Sequence, residues 1–369
     1  MQRRKFLRTA ALGTAGVASV STLAAPAIAE SMPELKWRLA SSFPKSLDTL
    51  YGTGEIFARY ISEMTDNKFN VRIFAAGEIV PGLQVLDAVQ NGTVEMGHSA
   101  GTYYVGKDTA FAFDTALPFG NNSRQQEAWM RWGGGRELLN ELYKDYNIYS
   151  LGCGLTGAQM GGWFRKEVKG VEDFKGLKFR IAGIAGLVIN KIGGVAQQIA
   201  GGDIYPALEK GTIDGCEWVG PYDDQKLGFN KIAPYYYYPA WWEGGPQTSA
   251  MINLTKWNEL PKGYKSVVEA AAANAQTWMI SKYDAQNPKA LRELVSSGTK
   301  LLPFPQSFMD ASYAAAQETW AELAAKNPKF KKIYDSFKAF RNEEILWFRV
   351  CEGTFDTFMA RMSAANKLD

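Results

Sequence analysis

Arg180 heads the short set of residues whose type and setting could do chemistry. It falls near the end of a strand predicted over Leu177 to Ala182, with Leu177, Phe179 and Ile181 on one face and Lys178 and Arg180 on the other. A strand covered on both faces should not carry an unpaired guanidinium, and the planar fork of Arg suits a carboxylate, either a ligand's or one of the protein's own. Glu217 and Trp218 follow a second predicted strand, in Gly215-Cys216-Glu217-Trp218-Val219-Gly220-Pro221. An acid there can accept hydrogen bonds, cap, or ligate a hard cation through oxygen, and Gln159 could add a neutral carbonyl oxygen. Tyr235 to Tyr238 with Trp241-Trp242-Glu243 is the densest aromatic cluster, suited to walling a dry pocket or to packing a linker.

Other constellations are weaker. Gly152-Cys153-Gly154-Leu155-Thr156-Gly157 satisfies G-x-G-x-x-G. A dinucleotide site needs a helix to open there, whereas Gly161-Gly162 and Trp163-Phe164 read as turn and strand; an exported nicotinamide oxidoreductase is the enzyme-class rival this motif supports. The single His98 excludes multi-histidine metal sites and leaves one candidate base for any nucleophilic mechanism, with no G-x-S-x-G elbow. Cys153, Cys216 and Cys351 are widely spaced, which excludes a zinc ribbon.

The elements that must position these residues alternate. Leu35 to Ser41 reads as a strand, a helix begins near Asp48 as its N-cap, and Phe69, Val71 and Ile73 form a second strand. Leu83 to Gln90 is a helix closed by Asn91-Gly92. Strand and helix in alternation argue for parallel α/β layers. The run Ala88-Val89-Gln90-Asn91-Gly92-Thr93-Val94-Glu95 is echoed by Ala207-Leu208-Glu209-Lys210-Gly211-Thr212-Ile213-Asp214, and more faintly Val71-Arg72-Ile73 by Phe179-Arg180-Ile181. Two similar α/β lobes would then face each other, with ligand sites beyond the strand ends, at His98 to Tyr104 and Cys216 to Tyr222. Farther on, Lys262 to Gln286 reads as a helix, Pro288 as the start of another and Gly298 as its stop. After Asn327-Pro328 an apolar pattern runs through Phe337, Trp347, Phe355 and Met362. It fits either one helix of about 50 Å that protrudes as a dimer arm or two helices hinged near Gly353.

Composition bounds the class. With 369 residues, 46% hydrophobic and 21% charged, the chain is globular and long enough for two domains. Arg3-Arg4-Lys5-Phe6-Leu7 ahead of a weakly apolar stretch, closed by Ala27-Ile28-Ala29, reads as a twin-arginine export signal over residues 1–29, with a periplasmic mature chain from Glu30. Its removal turns the formal +3 into 37 basic against 38 acidic residues, so a polybasic nucleic-acid surface has no support in the totals.

Several blocks together resemble the periplasmic solute-binding subunits of TRAP transporters, and most closely those that bind α-keto acids. They are Ala40-Ser41-Ser42-Phe43-Pro44, Gly77-Glu78-Ile79-Val80-Pro81-Gly82, Gln159-Met160-Gly161-Gly162-Trp163-Phe164-Arg165, Ala200 to Leu208 and Glu217 to Asp224. The resemblance implies an α/β, two-lobed, non-catalytic receptor with its ligand cleft between the lobes, which delivers a small carboxylate to the transporter's small and large membrane subunits. Lobe I would take residues 30–153 and about 245–285, lobe II 154–244 and about 286–327, with 328–369 a long helix that pairs two copies. By position, Arg180 resembles the arginine that holds the substrate carboxylate. Gln159, Glu217 and the Trp218 carbonyl resemble ligands of a bound Na+, or Ca2+ in its place. Tyr103, Tyr104 and Glu243 join Arg180, Gln159 and Trp218 as implied substrate contacts. The implied ligand is a 2-oxo monocarboxylate such as pyruvate or 2-oxobutyrate, with a 2-hydroxy acid such as lactate as the alternative.

Overall fold

The computed structural model describes residues 32–367; the expected export signal lies outside them. The chain first runs β1 (Leu35–Ser41), α1 (Leu50–Met64), β2 (Phe69–Phe74), α2 (Val85–Gln90), β3 (Met96–Ser99), α3 (Ala112–Thr115), α4 (Ser123–Trp132), α5 (Gly135–Lys144) and β4 (Ile148–Leu155). It continues as β5 (Trp163–Phe164), β6 (Lys178–Arg180), α6 (Ala185–Lys191), β7 (Val195–Gln197), α7 (Gly201–Glu209), β8 (Gly215–Cys216), α8 (Pro221–Leu227) and β9 (Tyr235–Tyr238). The last part is β10 (Gln247–Asn253), α9 (Leu254–Glu259), α10 (Lys262–Ser296), β11 (Lys300–Pro303), α11 (Gln306–Lys326), α12 (Pro328–Val350) and α13 (Glu352–Ala364).

Two sheets organise these elements, one in the order β2-β1-β3-β10-β4 and the other β11-β9-β5-β8-β6-β7. Each defines a lobe. The sequence echo marks a shared β-α-β-α-β unit: β1 lies between β2 and β3 in parallel, as β6 lies between β7 and β8. The match extends to single bonds. Gly92 and Gly211 have φ of 72° and 71°, a left-handed helix ending that suits glycine. Thr93 N donates to Ala88 O at 2.8 Å, and Thr212 N to Ala207 O at 2.9 Å. Glu95 then accepts from Arg38 N at 2.8 Å and Asp214 from Lys178 N at 2.9 Å, each acid tying its strand to the neighbouring one. The fainter pairing of Val71–Ile73 with Phe179–Ile181 does not hold, because β2 is an edge strand whose counterpart is the edge strand β7.

Three expected boundaries are corrected. The helix expected to restart at Pro288 is continuous from Lys262 to Ser296, with Pro288 inside it. Proline removes one main-chain hydrogen bond, but burial of Ala271, Ala275, Met279 and Tyr283 on one side of it and Ala290 and Leu294 on the other holds the helix through that point. The lobe boundary expected near residue 286 therefore falls inside a helix that packs on β4 in the first lobe and α8 in the second. Asp48 is not the cap of α1; Thr49 takes that position, and Asp48 forms ion pairs with Lys226 and Lys282. At the C-terminus, the backbone breaks at Cys351, two residues before Gly353, so the long helical element is two helices. The first half of α12 buries Phe330, Ile333 and Phe337, whereas Trp347, Val350, Phe355 and Phe358 are exposed. Among the described residues no helix is long and apolar enough to cross a membrane.

Candidate functional site

Arg180 is the last residue of β6 and pairs in register with Cys216 of the parallel strand β8. Glu217, one residue past β8, is therefore set beside Arg180 at the carboxyl ends of neighbouring parallel strands, where open α/β sheets place their sites. Both side chains are buried. The guanidinium is held from three directions: Nε donates to Ile199 O at 3.0 Å, Nη1 to Glu217 O at 3.0 Å and also to Glu217 Oε1, and the Trp218 ring lies 5.0 Å beneath the charged group. Nη2 has no partner and is buried. A rigidly held guanidinium with one free edge is built to receive an anion.

Gln159 and Glu243 come from the two segments that cross between the lobes, β4 to β5 and β9 to β10. Main-chain bonds lace these together: Gln159 N donates to Glu243 O and Ala240 N to Gln159 O, both at 3.2 Å. The crossing thus delivers a neutral amide and a carboxyl to the side of Arg180 and Glu217. Gln159 Oε1 is buried without a donor. Burial raises the carboxyls of Glu217 and Glu243; Arg180 opposes the rise at Glu217, while the like charge of Glu217 pushes Glu243 well above the ordinary range.

These residues line one small pocket, with a cavity volume of about 40 Å³. Arg180, Gln159, Glu217, Trp218, Glu243 and Tyr103 are all in its wall. Tyr104 is not. Adjacent residues on a tight helical turn point apart, and the Tyr104 hydroxyl turns into the first lobe to meet Ser99 Oγ at 2.7 Å and Leu86 N at 3.2 Å. Thr102, within the expected stretch His98 to Tyr104, is also in the wall, and sequence reasoning missed Phe43, Thr115, Thr156, Gln247 and Thr248, which line it as well. Phe43 lies in the block Ala40 to Pro44, but hydroxyl and amide side chains scattered over separate turns, a helix end and a strand carry no spacing signal. The G-x-G-x-x-G stretch is absorbed by β4 and the crossing segment, with β5 and no helix after it, so the nicotinamide reading is withdrawn.

The electron-rich oxygens suit a hard cation. Among the described residues no three His, Cys, Asp or Glu side chains converge, so a cation here must rely on neutral oxygens and on the ligand as well as on acid. The donorless Gln159 Oε1 beside two buried carboxyls meets that condition.

Bacterial extracellular solute-binding protein, family 7, matches residues 40–327. The chain belongs to this family. Its members are binding receptors of TRAP transporters and not enzymes. A monocarboxylate 2-oxoacid-binding periplasmic protein of Nostoc sp. is 47% identical over 360 residues, which cover 97% of this chain and 99% of its own. A TRAP transporter solute-binding protein of Bordetella bronchiseptica, crystallised as a mixed-occupancy dimer with co-purified calcium and picolinate in one site and the other site apo, superposes with a TM-score of 0.89. It shares 51% identity and covers 90% of this chain and 99% of its own. A TRAP receptor of Pseudoalteromonas atlantica with bound sodium and pyruvate gives a TM-score of 0.85 at 38% identity, covering 87% of this chain and 98% of its own.

Proposed function

We propose that this receptor binds a small 2-oxo monocarboxylate, pyruvate or 2-oxobutyrate, through Arg180 and a cation, and passes it to the membrane subunits of its transporter. The single observation that carries the reading is that one pocket wall holds both the free, buried Nη2 edge of Arg180 and the donorless Gln159 Oε1. The first calls for a carboxylate. The second calls for a donor or a cation.

Gln159 Oε1, the Glu217 carboxylate and the Trp218 carbonyl would hold that cation, Na+ or Ca2+, and its charge would offset the acid that otherwise repels an anionic ligand. Tyr103 and Glu243 would close the sides of the pocket. Pyruvate and picolinate, bound by the two solved relatives described above, share a carboxylate with a second donor atom on the adjacent carbon. Such a ligand chelates a metal while leaving a carboxylate edge for arginine. A 2-hydroxy acid offers a hydroxyl in place of the oxo group and is the competitor to measure against. Lobe closure around ligand would follow from contacts on both sides of the pocket favouring the closed state.

A thermal-shift series of 2-oxo and 2-hydroxy acids on chelator-treated protein, in sodium, potassium and calcium buffers, tests this reading. Ligand at about 100 times Kd adds roughly 2.7 kcal/mol of stability. The reading predicts a shift with pyruvate that needs sodium or calcium; shifts with no 2-oxo acid in any buffer contradict it.

The same reading includes twin-arginine export to the periplasm and a homodimer built on α12 and α13. None of the side chains of α13 is buried, and Trp347, at 58% exposure, and Phe355, at 64%, need cover. Truncation before Asn342 is expected to give monomers in sedimentation, and an unchanged dimer contradicts the arm.

A further inference from the structure

Two seams join the lobes beside the pocket. In one, Asp223 of the second lobe accepts from Thr49 Oγ1 at 2.5 Å and from Tyr283 OH at 2.7 Å, so the seam includes a residue of α10, the helix that connects the lobes. The other has no connecting segment in it. There Gln198, after β7, accepts from Gly183 N at 3.4 Å through Oε1 and donates from Nε2 to Tyr103 O of the first lobe at 2.9 Å. Gly183 itself, after β6, meets Thr102. A Cβ built on Gly183 would lie 1.9 Å from Thr102 Oγ1 and 3.2 Å from Thr102 Cβ.

Thr102 cannot retreat easily. Its N–H is fixed on Thr115 Oγ1 at 3.1 Å, and a β-branched side chain has few rotamers. The φ of Gly183 is 71°, so glycine is favoured there for a second reason. Thr102 and Tyr103 also line the pocket, whereas Gly183 and Gln198 do not. The seam therefore shares its first-lobe loop with the site without touching what the site holds.

We propose that Gly183 and Gln198 are positioning residues that set ligand affinity by allowing and then holding the apposition of the two lobes, with Thr102 as the surface on which Gly183 comes to rest. The proposal rests on the reading of the protein as a receptor that closes on a 2-oxo acid. Any side chain at 183 keeps the lobes apart by collision with Thr102, and loss of the Gln198 amide removes its bridge from the second lobe to the Tyr103 carbonyl. Ligand grip by Arg180 survives both changes; what is lost is the share of affinity that closure supplies.

A double-mutant cycle separates this from simple backbone strain at residue 183. Pyruvate affinity is measured by calorimetry in calcium buffer for the wild type, Gly183→Ala, Thr102→Gly and the double variant. Gly183→Ala is expected to weaken binding about tenfold or more when Thr102 is present. When it is combined with Thr102→Gly the further loss is expected to be far smaller, because the collision is gone. An equal loss in both backgrounds, the mark of local strain, overturns the proposal. Gln198→Ala is expected to weaken binding several-fold, and unchanged affinity overturns its part.

A wild type that does not bind pyruvate contradicts the substrate reading, and the seam is then judged on inter-lobe distance alone. Spin labels replacing the exposed Lys68 and Lys210, in a Cys351→Ser background, report that distance by electron–electron double resonance without ligand. A closed population in the wild type that is depleted in Gly183→Ala and restored by adding Thr102→Gly supports the seam. A wild type that never shows the separation of this structure, or a Gly183→Ala variant with the wild-type distribution, overturns it.

Discussion

The unit of β1, β2 and β3 and the unit of β6, β7 and β8 share one scaffold and carry different chemistry at the same spot. In the first, Ala40 pairs with Gly97 and is followed across the sheet by His98; in the second, Arg180 pairs with Cys216 and is followed by Glu217. The charged pair Arg180–Glu217 thus corresponds to the uncharged pair Ala40–His98. His98 is buried, which pushes its imidazole down to about 4 and keeps it neutral, with Nε2 against Cys153 O at 3.0 Å and Thr248 Oγ1 at 3.1 Å. The scaffold is repeated, and the buried charged pair is placed in one copy. The charge is thus added to a fold unit that is structurally complete without it.

The largest effect expected from breaking this asymmetry is Ala40→Arg. Position 40 has no carboxylate in place of Glu217, so a guanidinium there is buried unpaired and should cost about 4 kcal/mol or more, or abolish folding. Urea unfolding within about 1 kcal/mol of the wild type contradicts the assignment. Next comes Arg180→Met, which fits the volume but removes the charge. Calorimetry is expected to find pyruvate binding weakened at least about a hundredfold, with the circular dichroism of the folded protein retained.

A smaller effect separates the two corners by pH. Folded His98 titrates near 4, against 6.5 for the free side chain. As pH falls, the unfolded chain takes up that proton first, so the stability from neutral His98 is full above about 6.5 and is lost progressively toward 4. Between about pH 7 and 4.5 the wild type should lose about 2 kcal/mol more than His98→Gln; parallel losses in both proteins contradict a neutral buried imidazole. The smallest effect tests the repeat itself. Glu95→Ala and Asp214→Ala each remove an acid that tethers the neighbouring strand, and each should cost about 1 kcal/mol, similar in size, by urea unfolding. A large cost at one and none at the other would break the equivalence.

The features legible in the sequence were those with a period or a strong local conformer. β1 followed from alternation at Leu35, Trp37 and Leu39, and the helix endings at Gly92 and Gly211 from a glycine cap followed by a Thr-branched-acid run. Arg180 stood out because a charge in a doubly covered sheet demands an account, and Glu217 because it is an acid just past a strand's carboxyl end. What was missed depends on tertiary contact. Tyr104 and Tyr103 are adjacent and chemically identical, and only the pitch of one turn sends one to the pocket and the other to Ser99. Pro288 obeys its local rule until packing from both lobes overrides it. Asp48 has the character of a cap but is taken by Lys226 and Lys282, residues more than 170 positions away. Gly183 carries no mark in the sequence at all, since its constraint is Thr102 on the opposite lobe.

The central claim is that the open edge of Arg180 receives the ligand's carboxylate while Gln159, Glu217 and Trp218 offer oxygens to a cation beside it. A crystal structure of the protein grown with pyruvate and a calcium salt tests it most directly. The account predicts the pyruvate carboxylate on Arg180 Nη2, and the ion between Gln159 Oε1, a Glu217 carboxylate oxygen and the Trp218 carbonyl. Pyruvate bound elsewhere, with the guanidinium engaged by Glu217 alone, would contradict it.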